Sequence, residues 1–201
     1  MSALFVKICG MTTPVAVDTA LACEVDAIGF VFAASVRQVT PQRASELASP
    51  VRHKLACVAV TRHPTRAEIE EILRDFRPDI LQTDIEDIDS LDLPHTLSVL
   101  PVMRPPVEPA CVLARRVLFE GPVSGSGQTT DWQAAADLAR RCEVILAGGL
   151  NPLNVGIAVR HVRPFGVDVS SGVEDQPGIK SADKIEKFVT AARMAALELN
   201  S

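Results

Sequence analysis

Aromatic residues are scarce in this 201-residue chain, which has seven Phe, one Trp and no Tyr. Hydrophobic residues nevertheless make up 47% of it and charged residues 22%. The chain can therefore bury a core and is not disordered. Because that core must consist mainly of Val, Leu, Ile and Ala, it suits buried parallel strands covered by helices. The length fits one domain or at most two small ones.

An excess of basic residues is also lacking. The formal net charge is −5, which argues against a nucleic-acid-binding stripe. An acidic protein can still bind an anionic small molecule, but it must do so with local hydrogen-bond donors rather than with its overall field.

Paired cysteines and metal-ligand motifs are absent. The five cysteines are odd in number and form no C-x-x-C pair, which argues against disulfides and zinc and for a reducing compartment. The four histidines show no ligand spacing, so we expect no metal. Lys7 interrupts the apolar N-terminal run, which argues against a signal peptide. No run approaches the ~20 apolar residues that span a bilayer. We expect a cytoplasmic protein with no membrane contact.

What the sequence does contain is a regular alternation of strands and helices. Strand-type runs occupy residues 4–9, 26–32, 55–60, 79–82, 97–102, 116–120, 144–147 and 166–169. Helix-start signals follow most of them, at Thr13-Pro14, Thr40-Pro41, the Thr65–Glu68 capping box, Asp131 and Asn151-Pro152. Prolines weaken the helix expected after the fifth strand, which we predict to be frayed or absent.

Eight such units in order, with no linker between them, predict a single domain over residues 1–201. Alternating units form a parallel sheet, and eight of them close into an α/β barrel, here one of minimal size. An open doubly wound sheet is the alternative that the same pattern allows. In a barrel, the functional residues stand at the C-terminal ends of the strands.

Cys9 ends the first strand and admits two interpretations. A strand-end cysteine is commonly a small buried hydrophobe. Lys7, however, points to the same side of the strand, and an ammonium close to a thiol favours the reactive thiolate. We expect this effect to lower the pKa of Cys9.

Two other charged residues stand at strand ends. Glu120 follows the sixth strand, where a carboxyl group can act as a general acid or base. Arg37 follows the second strand, where its guanidinium can hold a carboxylate with two hydrogen bonds. The competing interpretation of each is an ordinary solvated loop residue.

Glycine-containing turns follow strands seven and eight, at Gly148-Gly149 and Ser171-Gly172. Barrels often bind phosphate at these two places through backbone N–H groups. The small residues of 121–129 predict a mobile loop over the site or a plain surface loop.

Long motifs in matching order extend these features over nearly the whole chain. They are Val6–Thr12, Gly29–Phe32 with Ser35 and Arg37, Leu81-Gln82, Gly125–Trp132, Leu146–Val155 and Gly166–Glu174 with Pro177, Gly178 and Lys180. In these motifs the chain resembles the phosphoribosylanthranilate isomerase family of tryptophan biosynthesis.

The resemblance implies a barrel of the ribulose-phosphate-binding type and an Amadori rearrangement of N-(5-phosphoribosyl)anthranilate, with no metal or organic cofactor. It implies Cys9 as general base and Glu120 as general acid. The implied substrate-binding residues are Lys7, Arg37, Gln82 and Asp168, and the implied phosphate-binding residues are Gly148, Gly149, Ser171 and Gly172. Arg37 would hold the anthranilate carboxylate.

The chain departs from the family pattern at two strand ends. Glu120 stands where the family has Asp, and Asp84 stands where the family's Leu-Gln-Leu-His-Gly has its His. If Glu120 is not the acid, Asp168 and Asp84 are the alternatives.

Three other functions remain open: a related histidine-pathway or dual-specificity isomerase, a catalytically impaired phosphate-binding barrel, and a thiol-regulated binding protein. Both a monomer and a homodimer are compatible with the sequence.

Overall fold

The computed structural model describes residues 4–106, 114–121 and 130–199. Its eight main strands form one closed parallel barrel in chain order, in which β8 returns to pair with β1. The strands are β1 Phe5–Cys9, β2 Ala27–Val31, β3 Ala56–Val60, β4 Ile80–Asp84, β5 Ser98–Met103, β6 Arg116–Phe119, β7 Glu143–Leu146 and β8 Gly166–Val169. Closure confirms the barrel prediction and excludes the open sheet.

Six helices of the described residues lie on the outside of the barrel, and the first four begin where the sequence signals place them. They are α1 Pro14–Ala22, α2 Pro41–Ala48, α3 Arg66–Asp75, α4 Trp132–Ala139, α5 Val155–Val162 and α6 Ala182–Glu198. Thr13, Thr40 and Asp131 accept hydrogen bonds from backbone N–H groups of the first turns of α1, α2 and α4. Both bonds of the Thr65–Glu68 capping box are present at α3.

The pattern of eight strand–helix units is not complete in the described residues. After β4 the chain forms only a 3-10 turn, Ile85–Ser90, rather than an α-helix. The prediction for the helix after β5 falls mostly on residues 107–113, outside the described residues. The proposed loop over the site falls mostly on residues 122–129, which are likewise outside them.

The cap of α5 differs from the sequence expectation. The helix begins at Val155, so Asn154 and not Asn151 is its N-cap residue. The Asn151 carboxamide oxygen instead accepts hydrogen bonds from the backbone N–H groups of Leu153 and Asn154. It therefore stabilises the turn that leads into the helix.

The core has two layers. The larger one lies between the strands and the helices, and α3, α5 and α6 bury Ile72, Val159 and Phe188 there. The smaller one fills the barrel interior with Leu100, Val102, Leu118, Ile145 and Ala147. The polar side chains at the strand ends collect at the C-terminal mouth.

The segment after β8 adds a short cover at that mouth. A 3-10 turn, Ser171–Val173, leads into β9 Glu174–Gln176, which pairs antiparallel with β10 Ile179–Lys180. Within the described residues, none of the helices is long and apolar enough to cross a membrane.

Candidate active site

Residues from seven of the eight barrel strands or the loops after them meet around a cavity of about 250 Å³ at the mouth. Its polar lining includes Cys9, Arg37, Gln82, Asp84, Arg104, Glu120, Asp168 and Ser170. The barrel therefore brings together five residues that the sequence proposed for catalysis or substrate binding: Cys9, Arg37, Gln82, Glu120 and Asp168. Lys7 lies one inward-facing position below Cys9 on β1 and is fully buried.

A larger cavity of about 690 Å³ adjoins this one beside α2 and α3. The two cavities share part of the loops after β2 and β3. The larger one contains His63, Glu68 and Glu71 but none of the strand-end groups Cys9, Glu120 and Asp168. The chemistry is therefore concentrated in the smaller cavity.

Lys7 and Asp168 form a buried ion pair across the β1–β8 seam. The Lys7 ammonium donates a hydrogen bond to Asp168 Oδ1 at 2.8 Å. The pair exists because β8 closes on β1 with Lys7 directly opposite Asp168. Burial alone would lower the pKa of Lys7, but the carboxylate of Asp168 and the sulfur of Cys9 together raise it above its ordinary value. The lysine is therefore a fixed positive charge.

The environment of Cys9 differs from the sequence expectation. Burial raises the pKa of the Cys9 thiol above its ordinary value and outweighs Lys7, which lowers it; Asp168 adds to the increase and Lys180 opposes it. The direction of the Lys7 effect was predicted correctly, but the prediction of a lowered pKa was wrong. A sequence shows that Lys7 is near, but it does not show how completely the sulfur is removed from water.

Gly29 on β2 makes room for this group. A Cβ atom at this position would lie 3.0 Å from Cys9 Sγ and 3.3 Å from Lys7 Cε. Any larger residue would push the sulfur and the ammonium from their places. Gly29 was part of the motif in the sequence but had no role assigned to it.

Arg37 is held by a residue to which the sequence analysis gave no role. Its Nε and Nη2 donate to the two carboxylate oxygens of Glu174 at 2.7 and 2.8 Å. Lys180 donates to Glu174 Oε1 at 2.6 Å, and Gly178 N–H donates to Oε2 at 3.1 Å. Although burial acts in the opposite direction, these bonds lower the pKa of Glu174 to about 2.

Lys180 completes this network. Its ammonium also donates to the backbone oxygen of Ser170 at 3.0 Å and to its hydroxyl at 3.2 Å. Burial lowers the pKa of Lys180 although Glu174 opposes the change. Glu174 thus holds the Arg37 guanidinium through Nε and Nη2. The Nη1 group takes no part in these two bonds. Both Glu174 and Lys180 stand in the motifs, but only their tertiary contacts show what they do.

Glu120 is held on the opposite side by Arg104. Arg104 Nη2 donates to Glu120 Oε1 at 2.6 Å, and Nη1 donates to Asp84 Oδ1 at 2.5 Å. Together the two carboxylates raise the pKa of Arg104 against the effect of burial. From the sequence, Asp84 was a departure from the family pattern and an alternative acid, whereas Arg104 had no role. Their contact arises because β4 continues two residues beyond the predicted strand, to Asp84.

Two acceptors in the cavity have no hydrogen-bond partner among the described residues. They are Gln82 Oε1 and Asp84 Oδ2, both buried. A buried acceptor without a donor is unfavourable. Gln82 can therefore accept a hydrogen bond from a ligand that enters the cavity.

The glycine turns after β7 and β8 meet in the way that the sequence suggested. Gly148 and Gly149 have positive φ angles of 87° and 66°. A Cβ atom on Gly172 would lie 1.9 Å from the backbone oxygen of Leu150. Ser171 opens the 3-10 turn that contains Gly172. Glycine therefore permits the close approach of the two loops, at the places where barrels often bind phosphate through backbone N–H groups.

Metal-ligand atom types come together at the edge of the mouth, where His63, Asp84 and Asp87 have potential ligand atoms within 4.8 Å of one another. His63 Nδ1 is 3.0 Å from Asp87 Oδ1, and this carboxylate raises the pKa of His63. Arg62 and Arg104 approach Asp84 at 3.9 and 2.5 Å. Because two guanidinium groups already face this carboxylate, the cluster is better suited to ion pairing than to a divalent cation.

A thiol and a carboxylate from opposite sides of a closed barrel, above a buried ion pair, define an acid–base enzyme of the (βα)8-barrel class. Comparison with known proteins identifies the family. Residues 6–191 match the family model for N-(5'-phosphoribosyl)anthranilate (PRA) isomerase. The chain is 37% identical to the N-(5'-phosphoribosyl)anthranilate isomerase of Rhizobium etli, with 94% of each covered. It is 39% identical to that of Streptococcus pneumoniae strain Hungary19A-6, with 92% of this chain and 93% of the relative covered.

Solved structures agree with this assignment. TrpF from Jonesia denitrificans matches at a TM-score of 0.80 and 35% identity, with 96% of this chain and 98% of that one covered. The phosphoribosyl anthranilate isomerase from Thermus thermophilus matches at 0.82 and 30%, covering 96% and 100%. The chain belongs to the phosphoribosylanthranilate isomerase family, and it is an isomerase of tryptophan biosynthesis.

Proposed function

We propose that this isomerase converts N-(5-phosphoribosyl)anthranilate to 1-(2-carboxyphenylamino)-1-deoxyribulose 5-phosphate with Cys9 as general base and Glu120 as general acid. The observation that carries the assignment is their placement on β1 and directly after β6, facing one cavity across the barrel. A phosphoribosyl anthranilate isomerase that matches at a TM-score of 0.79 and 26% identity was solved in complex with reduced 1-(o-carboxyphenylamino)-1-deoxyribulose 5-phosphate. That complex supports a phosphorylated ligand of this shape for this chain.

In the first step Glu120 gives its proton to the ring oxygen of the ribose. The bond from that oxygen to C1 breaks, and the nitrogen lone pair forms a C1–N double bond, which leaves an iminium. In the second step Cys9 takes the proton from C2, and the electrons of that C–H bond move toward the iminium. Return of a proton to C1 and loss of the C2 hydroxyl proton give the ketone. The two steps change no net oxidation state and require no cofactor.

The raised pKa of Cys9 fits this order of events. Burial raises the pKa of the Cys9 sulfur and so favours its thiol form. The iminium that forms beside it adds a positive charge, which favours the thiolate at the moment when the base is needed. Lys7 acts in the same direction and is itself kept charged by Asp168.

The anionic ends of the substrate have separate binding places in this proposal. Arg37, fixed by Glu174, directs its Nη1 group toward the anthranilate carboxylate. The backbone N–H groups around Gly148, Gly149, Ser171 and Gly172 hold the phosphate. Gln82 Oε1, which has no donor among the described residues, accepts a hydrogen bond from a ribose hydroxyl. Asp168 lines the pocket beside the sugar.

Turnover of N-(5-phosphoribosyl)anthranilate by the native protein, Cys9→Ser and Glu120→Gln tests the assignment. We expect each variant to lose activity by ~10²–10⁴-fold, the usual contribution of one general acid or base. An exposed substitution, Lys187→Met, is the matched control and should leave the rate unchanged. Absence of turnover in the native protein would contradict the function, and full activity in Glu120→Gln would move the acid to Asp168 or Asp84.

The related histidine-pathway isomerase stays the alternative substrate class, which the same assay tests when it is repeated with that ribonucleotide. A single domain over residues 1–201 and a cytoplasmic location also stay predictions. The isomerase of Thermotoga maritima is described as dimeric. For this chain we propose the homodimer as a hypothesis, which sedimentation at several protein concentrations would test.

A further inference from the structure

Arg104 joins the candidate acid to a second carboxylate that the family pattern does not contain. One of its terminal nitrogens donates to Glu120 Oε1 at 2.6 Å and the other to Asp84 Oδ1 at 2.5 Å. All three side chains line the cavity that contains Cys9. We propose that Asp84 and Arg104 are a positioning pair, which orients Glu120 and places one cation and one anion beside it. This inference rests on the acid role proposed for Glu120.

The geometry favours orientation first. Asp84 is the last residue of β4 and is 1% exposed, so its side chain is enclosed by the surrounding protein. Arg104 directly follows β5, and its side chain is 19% exposed. A guanidinium is planar, so fixing one of its nitrogens on Asp84 also fixes the direction in which the other points. Glu120 Oε1 is thereby held in a fixed direction.

The charge balance of the three groups explains why the second carboxylate is needed. Arg104 alone would favour the ionised form of Glu120, which cannot give a proton. Asp84 shares the guanidinium and contributes a negative charge of its own, so it acts against that effect. The Glu120 side chain has one methylene more than the family's Asp, and a residue with more rotatable bonds has more to gain from such a clamp.

Other charged groups face the same region and must be kept constant in any test. Arg62 Nε and His63 Nε2 lie 3.9 and 3.6 Å from Asp84 Oδ2. Cys9, Arg37 and Asp168 line the opposite wall of the cavity, and Lys7 lies below them. None of these residues is changed in the variants below.

The test measures kcat/KM against pH in Arg104→Met and Asp84→Asn. The Glu120→Asp variant is measured first. The side of the native pH profile that changes in this variant is the limb that Glu120 governs. Removing the cation in Arg104→Met should move the limb to higher pH, and removing the anion in Asp84→Asn should move it to lower pH, each by roughly one unit. Loss of a merely structural contact would not produce shifts of opposite sign.

Two further measurements keep the inference testable if a variant is unstable. Arg104→Lys retains the charge but loses the two-pronged geometry, so kcat should fall ~10-fold or more while the limb stays in place. Ethylguanidinium added to Arg104→Ala should restore part of kcat. Arg140→Met removes an exposed arginine that pairs with Asp137 and should change neither quantity.

The outcomes separate this inference from the proposed function. Full activity in Glu120→Gln contradicts the acid role on which the inference rests. A loss of ~10²–10⁴-fold in Glu120→Gln, together with unshifted limbs in Arg104→Met and Asp84→Asn, contradicts the positioning pair alone. Shifts of the same sign in both variants would also contradict it.

Discussion

At the scale of single residues, the pKa of the Cys9 thiol depends on the groups around it. Burial raises its pKa, whereas Lys7 and Lys180 lower it. Lys7 has this effect only because Asp168 keeps it charged in a site that would otherwise lower the pKa of a lysine. The thiol, the ammonium and the carboxylate therefore form one unit.

The first prediction concerns the reactivity of Cys9. Alkylation of the ligand-free protein with iodoacetamide, followed at the Cys9 peptide by mass spectrometry, should have its midpoint above the ordinary thiol pKa of 9.0. Lys7→Met should move the midpoint further up, because it removes the charge that favours the thiolate. Lys187→Met is the surface control. A midpoint below 9.0 in the native protein, or a downward shift in Lys7→Met, would contradict the argument.

At the scale of elements, the loops after β7 and β8 can approach each other closely because Gly172 has no Cβ atom. The nearest atom to an added Cβ at Gly172 is a backbone oxygen at 1.9 Å, and a backbone group cannot turn away as a side-chain end can. Gly156 in α5 is different, since an added Cβ there would have its nearest neighbours at 3.6 Å, an ordinary contact distance.

The second prediction uses this contrast. Gly172→Ala should displace the turn that we propose to hold the phosphate and raise KM by ~10-fold or more, because misplacement by about 1 Å can cost ~10²-fold. Gly156→Ala should leave KM unchanged and stabilise the helix by up to ~1 kcal/mol. Steady-state kinetics and urea unfolding of both variants measure these effects. An unchanged KM in Gly172→Ala would remove the phosphate role from this turn.

At the scale of the whole molecule, closure of the barrel joins distant parts of the chain. Lys7 and Asp168 are 161 residues apart, and Arg37 and Glu174 are 137 apart. Glu174 also contacts Lys180, so it connects the loop after β2 with the β9–β10 cover. Its pKa of about 2 in the fold, against an ordinary 4.5, means that folding favours its ionised form.

The third prediction gives the sign of this effect. A lowered carboxyl pKa stabilises the fold above about pH 4.5, and the stabilisation is lost as the pH falls from 4.5 toward 2. The difference between 4.5 and about 2 corresponds to at most roughly 3 to 4 kcal/mol. Urea unfolding between pH 7 and pH 3 should show Glu174→Gln less stable at pH 7, with the difference shrinking toward pH 3. A difference independent of pH would contradict the charge role, and Glu198→Gln serves as an exposed control.

The sequence by itself determined the order of the strands and most helix starts, and its motifs indicated the barrel and the family. Each of these depends on local pattern: aliphatic runs, Thr-Pro caps, glycine turns and motifs that occupy neighbouring positions. It also placed Cys9, Arg37, Gln82, Glu120 and Asp168 at strand ends, and barrel geometry then brings strand ends together.

Only the tertiary structure decided the burial, the ion pairs and the pKa shifts of these groups. Burial of Cys9, the hold of Glu174 on Arg37 and the contact of Arg104 with both Asp84 and Glu120 depend on distances between residues far apart in the chain. Desolvation and ion pairing change steeply over a few ångströms, and the sequence does not carry those distances. The proposed base was therefore recognisable from its motif, whereas the direction of its pKa shift and the contacts of the proposed acid were not.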